Sequence, residues 1–356
     1  MFFHLRKIDW ILVIIVLVLC FIGLFTLYPL NIFLFKKQLL FIAIGFFIMI
    51  GMSFFDYRIL KNNTFIITAL YLISLFLLGL VLLFGRRIRG TVGWFDFGSF
   101  SFEPVELTKI IIVLLLAKYF SMRHIEMYHI KHIIISGIYI GLPVSLIFLQ
   151  PDLGSIIIVL CIWLGIILIA GIRVKHLLVL FLVFLIAFLS SWLWVLKDYQ
   201  KQRIIAFINP YTDPLGYGYH SIQSVIAIGS GKLFGKGWGK GYQAQLNFLP
   251  ESHSDFIFAT FAEQWGFMGV LLLLLLFSLL IWRIIEIAII SRNNFSSLFS
   301  VGFAILIFSQ SFINIGMNIK ILPITGITLP FLSYGGSSLI TLFLGIGILQ
   351  SIKTRL

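Results

Sequence analysis

Asp255 is the acid whose place in the sequence most strongly indicates chemistry. It closes the segment Leu249-Pro250-Glu251-Ser252-His253-Ser254-Asp255, and an apolar run begins at Phe256. A carboxylate where a polar loop enters an apolar environment can have its pKa tuned by partial burial and can then act as a general base. The spacing of Ser252 and Asp255 also fits a capped helix start, with Ser252 as the N-cap. The two interpretations are compatible.

A second group of charged residues lies in Glu103-Pro104-Val105-Glu106-Leu107-Thr108-Lys109. Positions 103, 106 and 109 share one face of a helix that Pro104 is suited to begin. Ionisable residues inside a membrane span are costly and usually face an internal cavity. The pattern fits a Glu106–Lys109 pair reaching the interface, and it equally fits a charged cavity wall or an ion relay. Asp152, between Pro151 and Leu153, is typical of a helix cap in a tight turn.

The polar loop at residues 197–255 is rich in glycine and lysine. Glycines let backbone N–H groups converge, and such backbone nests bind phosphate well when lysines are near. A flexible solvated loop would have the same composition. The P-loop pattern G-x-x-x-x-G-K-[ST] is missing from the loop, which argues against an ATPase.

The composition indicates that these groups are positioned by a membrane protein. The chain of 356 residues is 60% hydrophobic and 11% charged, whereas soluble domains carry about 25% charged residues. Apolar runs of roughly 20 residues can cross a bilayer core as helices. We therefore predict an all-α polytopic membrane protein, a single membrane domain over residues 1–356, with loop 197–255 between the seventh and eighth of about ten spans. The predicted spans are about 10–29, 38–54, 64–84, 104–120, 133–149, 154–171, 176–196, 256–282, 298–319 and 334–351.

The distribution of charge predicts an orientation. Lys and Arg in the short loops favour cytoplasmic N- and C-termini. With ten spans, this orientation places nine of the thirteen acids at the outer face: Asp96, Glu103, Glu106, Asp152, Asp198, Asp213, Glu251, Asp255 and Glu263. Chemistry is therefore expected outside. The chain has a net charge of +13. About half of the basic excess is explained by anchoring to anionic lipid at the inner leaflet, and the rest faces the outer side, where it could meet an anionic substrate. No nucleic-acid partner is expected.

Several motifs, taken in order, resemble the SEDS family (shape, elongation, division and sporulation). The matching segments cover nearly the whole chain, and the short segment before Trp10 is more similar to the elongation branch than to the division branch. Two departures are Glu103 and Val105, where the family commonly has Gln and Ser. The main segments are Glu103-Pro104-x-Glu106-x-x-Lys109, Gln150-Pro151-Asp152-Leu153-Gly154-Ser155, Gly235-Lys236-Gly237, Leu249-Pro250-Glu251-x-His253-x-Asp255-Phe256, and Pro330-Phe331-x-Ser333-Tyr334-Gly335-Gly336-Ser337-Ser338.

The resemblance implies a peptidoglycan glycosyltransferase that polymerises lipid II into β-1,4 strands at the outer face of the bacterial cytoplasmic membrane, during elongation and shape maintenance. It implies Asp255 as the general base and Glu106 and Lys109 as a charged pair in a central cavity, with Asp152 a lesser substrate contact. The implied partners are lipid II, a class B penicillin-binding transpeptidase and other proteins of the elongation complex.

A departing pyrophosphate needs cations more than a general acid. A divalent cation, Mg²⁺ or Mn²⁺, could supply this charge. The alternative is the basic side chains of the loop: Arg203, Lys232, Lys236 and Lys240.

A lipid II flippase is the alternative function. The same cavity, with Glu106 and Lys109 inside the bilayer, could carry the lipid-linked sugar across the membrane. The concentration of acids at one face favours the enzyme, because carriers place their sites near the bilayer midplane.

Overall fold

The protein is almost entirely helical. The computed structural model describes residues 7–88, 91–98, 100–122, 130–172, 174–190, 193, 201–202, 205, 207–209, 216 and 218–356. Three short strands, β1 (Arg86–Ile88), β2 (Thr91–Asp96) and β3 (Ser101–Phe102), form an antiparallel sheet. The helices in the described ranges are α1 (Trp10–Leu27), α2 (Ile32–Phe54), α3 (Tyr57–Asn62), α4 (Thr64–Phe84), α5 (Pro104–Ser121), α6 (Ile130–Leu149), α7 (Leu153–Ala170), α8 (Val174–Ser190), α9 (Tyr219–Ser230), α10 (Tyr242–Gln245), α11 (Ile257–Ile290), α12 (Asn294–Asn318) and α13 (Gly336–Thr354).

The predicted all-α polytopic membrane fold is confirmed. Among the described residues, 8 helices are long and apolar enough to cross a membrane: α1, α2, α4, α6, α7, α11, α12 and α13. The other two predicted spans are occupied by α5, which carries Glu106, Lys109 and Lys118, and by α8, which has 17 residues. The predicted long loop contains α9 and α10, and part of it lies outside the described residues.

Two predicted boundaries need correction. Helix α2 begins at Ile32 rather than near residue 38, because the Asn31 side chain caps it by accepting the N–H groups of Phe33 and Leu34. Lys37 is therefore helical, and its ammonium lies 4.6 Å from the centre of the Phe33 ring. Helix α11 has 34 residues and continues beyond the predicted span, to a segment where Arg283 pairs with Asp9.

The start of α1 and the last turns of α13 lie at one end of the bundle. The Asp9 N–H donates to Gln350 Oε1 at 2.8 Å, and the Tyr57 N–H donates to Ser351 Oγ at 3.2 Å. These bonds join the start of α1, the α2–α4 connection and the last turns of α13. Since the spanning helices alternate in direction, the first residues of α5, α7, α11 and α13 all lie at the opposite end.

The centre of the bundle is formed by α5, α12 and α13. Helix α13 packs along α2 and α5, and α12 packs against α5, α7 and α11. These central helices are largely buried although they carry many hydroxyl and amide side chains. Buried polar groups of this kind need hydrogen-bond partners within the protein.

Candidate active site

A cavity of about 410 Å³ opens at the end of the bundle where α5, α7, α11 and α13 begin. Its walls come from these four helix starts, from α2, from the strands β2 and β3, and from the segment between α12 and α13. Both predicted groups of acids meet here, although they are far apart in sequence. The acidic side chains that line the cavity are Asp96, Glu103, Glu106, Asp152, Glu251 and Asp255.

Asp255 is held by its backbone in a compact turn. The Phe256 N–H donates to the Glu251 carbonyl at 3.1 Å, and the Ser254 hydroxyl donates to the Glu251 carboxylate at 3.0 Å. The turn is fixed to the segment before α13, because Ser333 Oγ donates to the Ser254 carbonyl at 2.7 Å. A residue at this position presents its carboxylate to the cavity from a rigid support.

The helix-cap interpretation of Ser252 and Asp255 is wrong. Helix α11 begins at Ile257, so Asp255 precedes the helix instead of occupying its first turn. Glu251 adopts a positive φ of 51°, which turns the chain before the helix can start. The Ser252 carbonyl accepts a hydrogen bond from Thr260 Oγ1 at 3.0 Å, and this ties the turn to α11.

Glu106 and Lys109 form a buried ion pair with 2.9 Å between Lys109 Nζ and Glu106 Oε1. The predicted shared face on α5 is present: Glu103 and Glu106 line the cavity, and Lys109 lies behind them. Gln310 of α12 also contacts Glu106, with 3.5 Å between Nε2 and Oε2. Such pairs are energetically fragile, since removal of one partner leaves an uncompensated buried charge.

Asp152 has the predicted capping role and also lines the cavity. Its Oδ1 accepts the Ser155 N–H at 3.0 Å at the start of α7. The helix dipole stabilises a carboxylate in this position. The negative charge of Asp152 is therefore partly balanced by its own helix.

Glu103 and Asp96 have opposite pKa shifts. Burial, and after it the negative charges of Glu106 and Asp152, raise the pKa of Glu103 to about 8. Hydrogen bonds from the Arg86 side chain and the Gly98 N–H lower the pKa of Asp96. At neutral pH, Glu103 is therefore mostly neutral and Asp96 is ion-paired, so fewer net charges face the cavity than its six acids suggest.

The glycine-lysine segment of the long loop packs against a break in α11. Gly266 interrupts this helix with φ 66° and ψ −165°. The N–H of Phe267 donates to the Lys232 carbonyl at 2.9 Å, and the N–H of Gly237 donates to the Gln264 carbonyl at 3.1 Å. A β-carbon on Gly235 would lie 2.1 Å from the Gln264 carbonyl oxygen. The glycines therefore permit close contact between two backbones.

Three of the predicted loop cations, Lys232, Lys236 and Lys240, lie away from the cavity lining. Lys236 Nζ binds the carboxylate of Glu263 at 2.7 Å, and Glu263 is fully buried. Lys232 and Lys240 are exposed residues of the same segment. The fourth predicted cation, Arg203, lies outside the described residues. The sequence therefore predicts Lys236 as a substrate contact, but in the structure its ammonium is paired with Glu263.

Lys37 and the start of α13 line the cavity and were not among the predicted site residues. The sequence predicts a loop at Lys36 and Lys37, ahead of a span from about residue 38, whereas both lysines lie within α2. Helix α13 begins at Gly336, and no acidic residue stands in its first turn. The N-terminus of a helix attracts anions through its unpaired N–H groups and its dipole. This corner of the cavity is therefore electropositive.

The described residues contain no group of three His, Cys, Asp or Glu side chains able to hold a metal ion. Mg²⁺ is usually bound by one or two carboxylates together with substrate phosphates, so the predicted divalent cation stays a prediction. We assign no step to a metal.

Comparison with known proteins identifies the family. A family model described as "Cell cycle protein", which covers FtsW, RodA and SpoVE, matches residues 2–356. The chain belongs to the FtsW/RodA/SpoVE family. This is the SEDS family that the sequence motifs resemble. Membership of this family and the apolar helices show that the chain is a multi-pass membrane protein.

Two curated relatives of this family are similar over most of the chain. "Peptidoglycan glycosyltransferase MrdB" of Escherichia coli (strain K12) is 41% identical over 315 residues, which cover 88% of this chain and 84% of the relative. "Stage V sporulation protein E" of Bacillus subtilis (strain 168) is 37% identical over 359 residues, covering 97% and 96%.

Solved structures of the family agree with the fold. A chain from a peptidoglycan synthase complex has a TM-score of 0.84 and 34% identity, with 98% of each chain covered. RodA from Thermus thermophilus has a TM-score of 0.74 and 31% identity, with 98% of this chain and 97% of RodA covered.

Proposed function

We propose that the chain is a peptidoglycan glycosyltransferase that polymerises lipid II into β-1,4 glycan strands during cell elongation and shape maintenance. The observation that carries this proposal is the placement of Asp255 in a fixed turn on the wall of the acid-lined cavity. The name of the MrdB relative supports the same activity. Lipid II is the substrate class that this reaction requires.

Asp255 acts as the general base in the proposed reaction. The 4-hydroxyl of the acceptor GlcNAc attacks the anomeric carbon of the donor MurNAc, and the bond to undecaprenyl pyrophosphate breaks. The hydroxyl proton goes to Asp255, and the configuration inverts from α to β. A base on the attacking face is what an inverting displacement needs.

In this proposal the leaving pyrophosphate binds near Lys37 and the start of α13. These groups supply an ammonium and backbone N–H donors on the same cavity wall. Preorganised donors of this kind stabilise the charge that develops as the bond breaks. Lys236 is less suited to this role, because Glu263 already neutralises it.

The cavity faces the outer side of the cytoplasmic membrane in this proposal, with both termini in the cytoplasm. The support is the distribution of Lys and Arg in short loops, together with the position of the start of α1 and the end of α13 at the end opposite the cavity. Lipid-linked precursors then reach the site from the outer leaflet.

A class B penicillin-binding transpeptidase is the proposed partner, together with other elongation proteins. The structural neighbour in a peptidoglycan synthase complex supports an assembly that joins polymerisation with crosslinking. The transpeptidase would crosslink the strands that this chain makes.

Polymerisation of purified lipid II tests the proposal. The full-length chain with its transpeptidase partner should make glycan strands, and Asp255→Ala should reduce the rate by about 10²-fold or more, as expected for loss of a general base. Asp56→Asn is the matched control, because Asp56 caps α3 at the other end of the bundle. Strand synthesis by folded Asp255→Ala at the normal rate would refute the role of the base. Transfer of lipid II across vesicles by a wild-type protein that makes no strands would favour the flippase.

A further inference from the structure

The carbonyl group of Asp255 is bound by two buried asparagines of α12. Asn314 Nδ2 donates to it at 2.9 Å, and Asn318 Nδ2 donates to it at 3.0 Å. Both asparagines are fully buried. They lie four residues apart and therefore on one face of α12. A single carbonyl next to the proposed base thus receives two amide donors from the most central part of the bundle.

Asn314 joins two walls of the cavity. Its second amide hydrogen is donated to the Ile327 carbonyl, with 2.7 Å between Nδ2 and the oxygen. Gly326 and Ile327 line the same cavity as the Asp255 turn. One planar amide group therefore fixes both segments to the same point of α12.

The wall held by Asn314 lies beside the Asp255 carboxylate, with room for no more than one carbon atom between them. A β-carbon on Gly326 would lie 3.7 Å from Asp255 Oδ2, and Gly326 adopts a φ of 75°. The same wall packs on Gly154 at the start of α7, where a β-carbon would lie 2.7 Å from Ile327 Cδ1. A small displacement of the Gly326–Ile327 segment would therefore change the space around the Asp255 carboxylate.

Asn318 has a different set of partners. Its Oδ1 accepts the Ala259 N–H at 3.2 Å, and Ser224 Oγ donates to its backbone carbonyl at 2.8 Å. Asn318 thus also connects α9 and the first turn of α11 to α12. Loss of Asn318 would disturb several elements at once, whereas Asn314 acts on the two cavity walls.

We propose that Asn314 is a positioning residue for the polymerisation reaction, which sets the position of the Asp255 carboxylate relative to the Gly326–Ile327 wall. This inference rests on the proposed function. Asn314 lies behind the backbone of both segments and acts through Asp255. Its substitution is therefore expected to slow turnover while substrate binding persists.

Two variants of Asn314 test this inference in the full-length chain with its transpeptidase partner. Asn314→Ala removes both donors, and Asn314→Asp keeps the shape of the side chain while removing the amide. Initial rates of lipid II polymerisation are measured over a range of lipid II concentrations, and lipid II binding is measured separately. We expect kcat to fall by about 10²-fold, as small misplacements of catalytic groups can cause, with Kd within about twofold.

Asn293→Ala provides the control for a purely structural effect. Asn293 caps the other end of α12 by accepting the Ser296 N–H at 3.0 Å, and it donates to Tyr57 Oη at 3.1 Å. Thermal unfolding of all variants is compared. Reduced kcat in the Asn314 variants but not in Asn293→Ala, at similar unfolding temperatures, supports the proposal.

Three outcomes would overturn it: wild-type kcat in Asn314→Ala, a loss of kcat matched by an equal loss of lipid II binding, or an equal loss in Asn293→Ala. Failure of the proposed function is recognised separately. If Asp255→Ala polymerises lipid II at the wild-type rate, Asp255 is not the base, whatever the Asn314 variants do.

Discussion

At the scale of residues, the carboxylates of the cavity differ in what balances their charge. Asp96 is paired with Arg86, Glu106 is paired with Lys109, and Glu103 is largely neutral at pH 7. Because two of the six acids are ion-paired and a third is largely neutral, the cavity can admit a substrate that carries a pyrophosphate. Asp255 can then remain the acid that receives a proton.

Glu103 should make substrate binding sensitive to alkaline pH. Its pKa is raised to about 8, so the neutral form dominates below that pH and the carboxylate forms above it. The added negative charge would repel pyrophosphate, and KM for lipid II should rise by about fivefold between pH 7 and 9, which corresponds to about 1 kcal/mol of repulsion. KM of Glu103→Gln, measured over the same range, should stay constant. A parallel rise in both proteins would assign the effect to another group.

The Glu106–Lys109 pair should be fragile to single substitutions. Lys109→Met leaves a buried carboxylate without its cation, and this should lower the free energy of unfolding by about 3–5 kcal/mol. The double variant Glu106→Gln/Lys109→Met should recover much of that loss, as measured by thermal unfolding in detergent. Lys353→Met, near the end of α13, is the control. Equal stability of Lys109→Met and the wild type would contradict a buried pair.

At the scale of elements, the glycine-lysine segment holds the long loop onto α11. The break at Gly266 exposes backbone groups of α11, and the loop residues Lys232 and Gly237 satisfy them. Trp238 adds a second attachment, because its Nε1 donates to the Phe25 carbonyl at 2.8 Å and its ring stacks on Phe25. The segment is therefore a structural connection between α1 and α11.

Gly235→Ala should detach this segment. Gly235 has a φ of 79°, and a β-carbon would lie 2.1 Å from the Gln264 carbonyl oxygen. Left-handed backbone alone costs a non-glycine residue about 1–3 kcal/mol, so limited proteolysis between residues 231 and 241 should become faster. Gly229→Ala is the matched control, because nothing lies within 4 Å of its β-carbon and alanine favours its helix. Equal proteolysis of the two variants would show that the contact is unimportant.

At the scale of the whole molecule, the alternation of helices separates two ends with different roles. The start of α1, the end of α13 and the Asp9–Arg283 ion pair lie at one end, and the cavity lies at the other. Four helices begin around the cavity, so their positive ends face a shared space. This arrangement places the anion-attracting backbone and the acids at the same membrane surface.

Cysteine labelling should establish which surface this is. Lys240→Cys and Arg292→Cys place an exposed thiol at the cavity end and at the opposite end. A membrane-impermeant maleimide should label Lys240→Cys in intact spheroplasts and Arg292→Cys only after permeabilisation. The unsubstituted chain, in which Cys20 is buried and Cys161 is partly buried, gives the background. The opposite labelling pattern would reverse the proposed orientation.

The sequence by itself determined the helices and the end at which the acids gather. In lipid, backbone groups must be satisfied within the helix, so each span appears as a local apolar run of about 20 residues. Alternation of direction then assigned Glu103, Asp152 and Asp255 to one end without any knowledge of packing. The Glu106–Lys109 pair could also be predicted, because its partners are three residues apart on one helix.

Only the tertiary structure decided which partner each polar group meets across the fold. Lys236 pairs with Glu263, 27 residues away, and Asn314 binds the Asp255 carbonyl, 59 residues away. Two asparagines at i and i+4 in an apolar helix were a signal for a buried polar contact, but the signal does not name the acceptor. Side-chain pairing between distant segments follows from how the helices pack, and that packing has no local signature in the sequence.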